Sequence, residues 1–377
     1  MSQALNDAGA GLGATKAPLR EARHVSGNLY TDPEILRQEK ECFFMRDWLC
    51  VGRVEEIALP GDYLTFDVLG EPIIVARNAE GVLRAFSNVC AHRGVAVASG
   101  QGNKKMFSCP YHGWVYDLDG HLKSAPHMEE SSGFALEHCR LQPLRVDDWQ
   151  GWVFVCFDDL GQDLPSFLGS VRDRLAFIHA EDCRLGNKWE FELQCNWKTV
   201  VENFQDVYHL RVLHADTFGS AVDVDNYQPE LLENGKFYSE FDGGVMTPDG
   251  ESRFGGLPCW DGQPATSAAI AHINPNIMFF CRWDSVFMWN AWPVNADRTK
   301  IIFLTTFHKD HFDDPELQAK LEVYADFEKL VAQEDNEMVQ SLQKGFRSRA
   351  YKPGRMSIYE HTIHHMINYQ IKVLLGA

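Results

Sequence analysis

The stretch CAHRGVAVASGQGNKKMFSCPYHGW, residues 90–114, carries two cysteine–histidine pairs. One residue separates Cys90 from His92, two separate Cys109 from His112, and 16 lie between the pairs. Thiolates and imidazoles are the side chains that proteins offer to zinc and to iron–sulfur clusters. The fold and the chemistry of this part of the chain therefore depend on which metal group these four residues bind.

The order of these four residues favours an iron–sulfur cluster over zinc. A zinc finger usually groups its cysteines before its histidines, whereas here each loop supplies one of each. That arrangement is typical of a Rieske [2Fe–2S] cluster, with the two cysteines on one iron and the two histidines on the other. Gly94 and Gly113 follow the pairs, and we expect them to remove side-chain bulk where backbone amides approach sulfur. A zinc site or a chance grouping is the alternative.

The composition indicates a globular, acidic protein. The 377 residues are enough for about two domains, and 45% of them are hydrophobic. A formal charge of -18 argues against nucleic acid or an anionic membrane as a partner. The first residues lack the apolar core of a signal peptide, and the longest apolar runs are too short to span a bilayer. We therefore expect a cytoplasmic enzyme that binds neither nucleic acid nor a membrane.

Strand and helix signals divide the chain into three parts. Residues 1–45 form an N-terminal segment with a helix starting near Thr31, expected to pack on the last domain. Residues 46–160 show short alternating strands with turns and predict a β-rich domain. Residues 161–377 combine strands with long helices. The predicted fold class is α+β, with the β-rich domain inserted before an α+β catalytic domain.

A second metal site is predicted in NWKTVVENFQDVYHLRVLH, residues 196–214. On a helix Asp206 and His209 lie three residues apart, so they share a face and can touch. His209 and His214 lie five apart, which an ideal helix separates by about 140°. Both can bind one metal only if the helix bends or widens between them, as at a π-bulge. We therefore predict an irregularity between the two histidines.

Two histidines and one carboxylate form the facial triad of non-haem Fe(II) oxygenases. The candidate carboxylates Glu334, Asp335 and Glu337 lie in a helix predicted from Asp314 to about Phe346. Helical phase selects Asp335, because it shares the apolar face and an unpaired charge there would be costly. A buried salt bridge is the alternative. The apolar residues on that face are Leu317, Leu321, Tyr324, Val331, Met338, Leu342 and Phe346.

Together these motifs resemble the oxygenase α subunits of the Rieske non-haem iron oxygenases. That superfamily includes aromatic-ring-hydroxylating enzymes and choline and carnitine oxygenases. The resemblance covers nearly the whole chain and rests on CAHRG, CPYHGW, NWKTVVENFQDVYHLRVLH and QEDNEMVQSLQKGF. It implies a β-rich Rieske domain and a catalytic domain in which helices wrap an antiparallel sheet.

The resemblance also implies roles for individual residues. The matching positions are Cys90, His92, Cys109 and His112 for the cluster, His209, His214 and Asp335 for a mononuclear Fe(II), and Asp206 for the electron bridge. In the family this bridging acid links an iron-bound histidine to a cluster histidine of the neighbouring subunit. Some amine-oxidising members have Glu at the bridge, so Asp206 favours the aromatic branch.

The function implied is that of a terminal oxygenase in a multicomponent system. Dioxygen is the co-substrate, and electrons come from NAD(P)H through a reductase, with or without a ferredoxin. The expected assembly is a head-to-tail homotrimer. A non-catalytic electron-transfer protein, which would need no His209, His214 and Asp335, is the remote alternative.

The expected substrate is a small aromatic acid or related ring compound, which would be hydroxylated or dioxygenated. The alternative is a quaternary ammonium compound of the carnitine, betaine or choline type, hydroxylated or demethylated. Tyr227, Tyr238, Phe254 and Trp260 could cage such a cation or stack on a ring, or belong to the core.

Overall fold

The computed structural model describes residues 12–219 and 222–376. The chain divides into two compact units, one formed by Phe44–Phe167 and the other by the residues before and after it. Within the described residues no helix is long and apolar enough to cross a bilayer.

The unit Phe44–Phe167 is built from antiparallel strands. They are β1 (Leu49–Arg53), β2 (Asp62–Val68), β3 (Glu71–Arg77), β4 (Leu83–Ser87), β5 (Gln101–Asn103), β6 (Phe107–Ser108), β7 (Val115–Tyr116), β8 (Leu122–Ser124), β9 (Pro143–Trp149) and β10 (Trp152–Cys156). One sheet has the order β1-β10-β9-β4-β3-β2-β5 and the other β6-β7-β8. The first contains the meander β2-β3-β4 that the alternating sequence predicts. Cys90 and Cys109 belong to the core of this unit.

The other unit contains one seven-stranded antiparallel sheet. Its strands are β11 (Cys183–Leu193), β12 (Glu230–Leu231), β13 (Phe237–Asp242), β14 (Ser267–Ile273), β15 (Ile277–Cys281), β16 (Val286–Asn295) and β17 (Arg298–His308). Their order is β11-β17-β16-β15-β14-β13-β12. The α-helices that lie clear of the undescribed residues are, in chain order, α1 (Asn28–Thr31), α2 (Pro33–Glu39), α3 (Leu164–Leu168), α4 (Ser170–Arg174), α5 (Trp197–Gln205), α6 (Leu210–Leu213), α7 (Leu317–Phe346) and α8 (His361–Leu374). The predicted α+β class is confirmed.

Helix α7 is the long helix that the sequence predicts, and side chains of the sheet fix it in place. Trp189 Nε1 on β11 and Thr305 Oγ1 on β17 donate to the buried Glu328 carboxylate at 3.2 and 2.8 Å. The predicted apolar stripe is wrong at its C-terminal end, where Met338 and Leu342 are 42% and 46% exposed. Val339 and Gln343 are buried there instead. Gln343 Nε2 donates to the carbonyl of Tyr30 at 3.2 Å and to Asp297 Oδ1 at 2.8 Å, so contacts with these segments decide which face of this end is buried.

The irregularity predicted near the histidines exists, but at another place. Helix α5 ends at Gln205, and Asp206 has extended backbone while its Oδ1 accepts from the N–H of Tyr208 at 2.8 Å. Asp206 thus satisfies a backbone donor that the helix would otherwise use, which stops the helix. The break lies before His209, and the one-turn helix α6 separates the two histidines.

Candidate metal centres and substrate cavity

The two loops that carry the cysteine–histidine pairs have matching backbone hydrogen bonds. In the first loop the N–H of Cys90 donates to the carbonyl of Val95 at 2.9 Å, and the N–H of Gly94 donates to Cys90 O at 2.9 Å. The second loop makes the equivalent bonds from Cys109 and Gly113, at 2.8 and 3.1 Å. Two turns of the same shape therefore present one cysteine each.

Backbone conformation explains the two glycines. Gly94 and Gly113 have φ angles of +77° and +72°, a region that favours glycine. A Cβ atom would meet no protein atom nearer than 4.0 Å at Gly94 and 3.8 Å at Gly113. No protein atom crowds either position. Glycine is therefore favoured at both positions by the left-handed backbone conformation and not by a lack of space.

The cysteines of these loops are buried and the histidines are exposed. The hydroxyl of Tyr116 accepts from the N–H of Ala91 at 3.0 Å and lies 3.2 Å from Cys90 Sγ, to which it can donate. The rings of His92 and His112 lie 4.6 Å apart, and His92 also stacks on Trp114 at 4.9 Å. Buried thiols beside exposed imidazoles fit a cluster with one sheltered and one accessible iron.

The imidazole of His112 is biased towards its neutral form. Partial desolvation, together with the nearby His92 and Arg93, lowers the pKa of His112. A neutral imidazole has a free lone pair for a metal, so this bias favours coordination.

The second centre brings together His209, His214 and Asp335. Asp335 Oδ1 lies 3.4 Å from His209 Nε2 and 3.1 Å from His214 Nε2. One ligand atom from each residue falls within 4.8 Å of the others. Two imidazole nitrogens and one carboxylate converging in this way fit the facial triad of a non-haem iron site. Asp335 was selected by helical phase, and neither Glu334 nor Glu337 belongs to this group.

Carboxylates also contact the outer nitrogens of both imidazoles. His214, whose side chain is 1% exposed, lies with Nδ1 2.8 Å from Glu334 Oε2. Thr217 Oγ1 donates to the same oxygen at 2.9 Å. Asp206 Oδ2 lies 3.4 Å from His209 Nδ1, although the angle does not make a hydrogen bond. A carboxylate behind a metal-binding histidine fixes its tautomer and orientation, so Glu334 positions His214.

In the absence of a metal these charges shift the pKa values strongly. Burial lowers the pKa of His209, but Asp206 and Asp335 outweigh it and raise the value to about 9. Burial raises the pKa of Asp335, but the two imidazoles outweigh it and lower the value to about 2. A cation is therefore favoured between these side chains, as expected for a site built to hold one.

A cavity opens beside the triad, and its wall is mostly aromatic and aliphatic. Its aromatic lining residues are Phe191, Phe204, Phe218, Tyr227, Phe241, Phe280, Phe287, Trp289 and Phe303. Of the four aromatics considered in the sequence, Tyr227 alone lines it. The other three pack elsewhere: Tyr238 donates to Glu240, Phe254 stacks on Tyr324, and Trp260 Nε1 donates to the Arg282 carbonyl.

Two buried charged residues in the cavity wall were missed in the sequence, Arg282 and Glu328. Glu328 precedes Asp335 by seven residues, which places the two within about 20° on one helix face. Arg282 follows Phe280 by two residues and faces the same side of the chain. The periodicity of helix and strand thus contained a signal for both.

Sequence and structure comparisons agree with the two sites. Residues 47–145 match the model of the Rieske [2Fe-2S] domain, and residues 180–374 match that of the ring hydroxylating alpha subunit (catalytic domain). A fold with these two centres defines a Rieske non-haem iron oxygenase component. The chain belongs to this family, as the sequence predicted.

The curated relatives include enzymes that act on quaternary ammonium compounds. The carnitine monooxygenase oxygenase subunit of Escherichia coli (strain K12) is 30% identical, over 93% of both chains. The chloroplastic choline monooxygenase of Beta vulgaris is 29% identical, over 92% of this chain and 76% of the relative.

Solved structures lead to the same group. A quaternary ammonium Rieske monooxygenase bound to an inhibitor has a TM-score of 0.82 and 27% identity, with 96% of this chain and 97% of the other covered. A naphthalene 1,2-dioxygenase from Rhodococcus sp. has a TM-score of 0.78 at 19% identity, over 100% and 99% of the two chains, which shows the fold alone.

This chain is therefore a terminal oxygenase of the Rieske family. The cofactors are a Rieske [2Fe–2S] cluster and a mononuclear non-haem iron, with dioxygen as co-substrate and electrons from a reductase. The expectation of an aromatic substrate and of aromatic hydrocarbon catabolism is not supported by these relatives, nor is dioxygenation.

Proposed function

We propose that this oxygenase hydroxylates or demethylates a quaternary ammonium compound, as the terminal component of a multicomponent monooxygenase. The observation that carries the proposal is the similarity, over nearly the whole chain, to carnitine and choline monooxygenases. The cavity wall supports it, since aromatic faces attract a cation without a hydrogen-bond donor. The bridging residue Asp206, which had favoured the aromatic branch, is outweighed by this similarity.

The proposed iron ligands are Nε2 of His209 and His214 and a carboxylate oxygen of Asp335. The iron, when bound, would supply the activation of dioxygen that the protein groups cannot provide. Glu334 holds the Nδ1 side of His214, which would leave Nε2 free to bind the iron, and Thr217 fixes Glu334 in turn. The apolar cavity excludes water and places the substrate beside the triad.

The residues proposed to hold the cluster are Cys90, His92, Cys109 and His112. The imidazoles are on the exposed side of their loops, where they are accessible to an electron donor or to another subunit. Asp206 is proposed as the bridge between His209 and a cluster histidine of the neighbouring subunit, in a head-to-tail homotrimer. One related structure is described in terms of inter-subunit electron transfer, which supports this arrangement. A reductase, with or without a ferredoxin, would supply the electrons.

The sequence-based domain boundaries are retained as part of the proposal. Residues 46–160 would form the electron-transfer domain and 161–377 the oxygenating domain, with 1–45 packed on the latter. Of these ranges, residues 1–11, 220–221 and 377 lie outside the described part of the chain. The compact unit Phe44–Phe167 supports the first of these assignments.

A panel of substrates with the reconstituted enzyme tests the function. Carnitine, γ-butyrobetaine, glycine betaine, choline and a set of aromatic acids are supplied with reductase and NADH, and oxygen uptake and product mass are recorded. We expect coupled uptake and a hydroxylated or demethylated product from at least one quaternary ammonium compound. Coupled oxidation of the aromatic acids alone would overturn the proposal.

A further inference from the structure

Arg282 is a buried cation in the wall of the substrate cavity. It follows β15 directly, and its side chain is 2% exposed. Its guanidinium lies 4.9 Å from the ring centre of Phe280 and 5.8 Å from those of Phe218 and Phe287. These rings hold the guanidinium in place at the cavity.

The hydrogen-bonding capacity of this guanidinium is only partly used. Nη1 donates to the carbonyls of Gly243 and Gly244 at 2.5 and 3.1 Å. Nε is buried and has no hydrogen-bond partner among the described residues. An arginine donor left unpaired at a buried position is costly, so a partner in the cavity would be strongly favoured.

The nearby carboxylates are engaged elsewhere. Asp284 and Glu328 both interact with the Arg282 charge at longer range. The oxygens of Asp284 accept from the hydroxyls of Ser252 and Ser285, at 2.6 and 3.1 Å, and from Tyr324. Those of Glu328 accept from Thr305 and Trp189. Within residues 12–219 and 222–376 no ion pair joins either carboxylate to Arg282.

Electrostatics agrees with this geometry. Burial lowers the pKa of Arg282 to about 10, which still leaves it protonated at neutral pH. Burial also raises the pKa of Glu328 to about 7, so this carboxyl is a weak counter-ion. The cavity wall therefore carries a positive charge that Asp284 and Glu328 offset only at longer range, without a direct ion pair.

We propose that Arg282 binds an anionic group of the substrate, which makes the substrate a zwitterion with both a quaternary ammonium and a carboxylate. The quaternary ammonium group of this substrate rests on the proposed function, whereas the anionic group is inferred from Arg282. A single aromatic ring, Phe218, separates the guanidinium from the triad, because it packs on His214 at 4.7 Å and on Arg282 at 5.8 Å. A short zwitterion held at Arg282 would therefore extend its other end towards the triad.

The same geometry predicts which cations are poor substrates. A choline-type alcohol has no anion to offer, so binding it would leave Nε of the buried Arg282 without an acceptor. A site built around a hydrogen-bonding partner rejects analogues that lack that partner far more strongly than it rejects a change of size. Carnitine, γ-butyrobetaine and glycine betaine share the required chemistry.

Binding to the iron-loaded, anaerobic holoenzyme tests this proposal. Dissociation constants are measured by calorimetry for γ-butyrobetaine and its methyl ester, and for benzoate and methyl benzoate. The proteins are the wild type, Arg282→Met, Arg282→Lys and the control Arg174→Met, which alters an exposed arginine paired with Glu230. We expect the wild type to prefer γ-butyrobetaine to its ester, and Arg282→Met to weaken acid binding at least about 30-fold but ester binding by less than about twofold.

Each outcome decides one point. Equal binding of acid and ester by the wild type, or equal losses of both in Arg282→Met, would overturn the role of Arg282. If Arg282→Met loses iron or its native circular dichroism, the test rests on the other two proteins. The wild type should then prefer γ-butyrobetaine to its methyl ester, and Arg282→Lys should show a smaller preference. A third outcome is that the wild type prefers benzoate to methyl benzoate, that this preference is lost in Arg282→Met, and that γ-butyrobetaine and its ester show no such difference. That outcome would uphold the anion site and refute the quaternary ammonium function.

Discussion

The two proposed metal centres of this protein are built in different ways. The cluster loops form one short stretch of sequence, and matching backbone turns place their cysteines. The proposed iron triad takes His209 and His214 from one segment and Asp335 from helix α7, which follows more than a hundred residues later in the chain. In the first centre backbone hydrogen bonds position the side chains, whereas in the second contacts between side chains do.

This contrast explains what holds each centre together. Turns with positive φ at glycine and matching backbone hydrogen bonds orient the proposed cluster ligands. The triad instead lies among half-buried carboxylates, one of which contacts the outer nitrogen of His214. We therefore expect side-chain changes around the triad to have graded effects on iron, and to leave the cluster unaffected.

The largest effect is expected from Asp335→Asn. The change removes the negative ligand and leaves two imidazoles, so the mononuclear iron should be lost and turnover should fall on the order of a thousandfold. Iron content, the cluster spectrum and product formation check this outcome. Glu337→Gln, an exposed carboxylate on the same helix, is the control and should behave as the wild type. Loss of the cluster together with the iron would contradict the independence of the two centres.

The pH dependence of stability should reveal the buried carboxyl of Glu328. Burial raises its pKa from 4.5 to about 7, so between these values the folded chain keeps a proton that the unfolded chain has released. Raising the pH through this window lowers the free energy of unfolding, by on the order of 3 kcal/mol.

Replacement of Glu328 isolates its contribution. Glu328→Gln should become more stable relative to the wild type as the pH rises from about 5 to about 8, since the amide has no proton to lose. Glu202, whose pKa burial also raises to about 7, is present in both proteins and cancels in the difference. Chemical unfolding at several pH values measures the difference in free energy of unfolding between Glu328→Gln and the wild type. Glu322→Gln, a change at an exposed position, is the control. A difference that stays constant with pH would contradict the assignment.

Asp206→Asn should separate electron delivery from iron binding. Asparagine can still accept from the N–H of Tyr208, but it loses the charge beside His209. We expect iron to stay bound and reoxidation of the reduced cluster, in the presence of substrate and dioxygen, to slow by about a hundredfold. The exposed Asp216→Asn is the control. Full turnover in Asp206→Asn would refute the proposed route.

A smaller effect is expected from Glu334→Gln. The amide oxygen can still accept from His214 Nδ1. Without the negative charge of Glu334, His214 Nε2 becomes a less basic ligand, so iron affinity should fall by about tenfold. Thr217→Val removes only the hydroxyl that holds Glu334 and should have a weaker effect in the same direction. Competition with a chelator measures both. Unchanged affinity in Glu334→Gln would mean that this contact does not position His214.

The smallest effect belongs to the cluster loops. Gly94→Ala places a Cβ at a φ of +77° with open space around it, so strain alone should cost about 1 kcal/mol. Gly70→Ala, at +85° and equally open, should cost the same. Thermal unfolding gives the cost, and sulfide content should fall in Gly94→Ala only. Equal sulfide loss in both variants would indicate general destabilisation of the unit.

The difference between local and long-range construction also decides what the sequence could predict. The cysteine–histidine loops and the meander are encoded by residues close in sequence, so spacing and alternation were sufficient. Helical phase was enough to select Asp335 among three acids. The position of the helix break was not predictable from spacing, because it depends on Asp206 capturing a backbone N–H. The inward face beyond Asp335 was wrong at Met338 and Leu342, because the end of helix α7 packs Gln343 against Tyr30 and Asp297, which are distant in sequence.

The most direct measurement is the ratio of iron to acid-labile sulfide in chains reconstituted without air. A chain with both centres contains iron in excess of its sulfide, because the triad binds a metal without sulfur. We predict that excess in the wild type, together with the spectrum of the cluster. Iron equal to sulfide in fully loaded protein would show that the triad holds no iron, and would leave only an electron carrier.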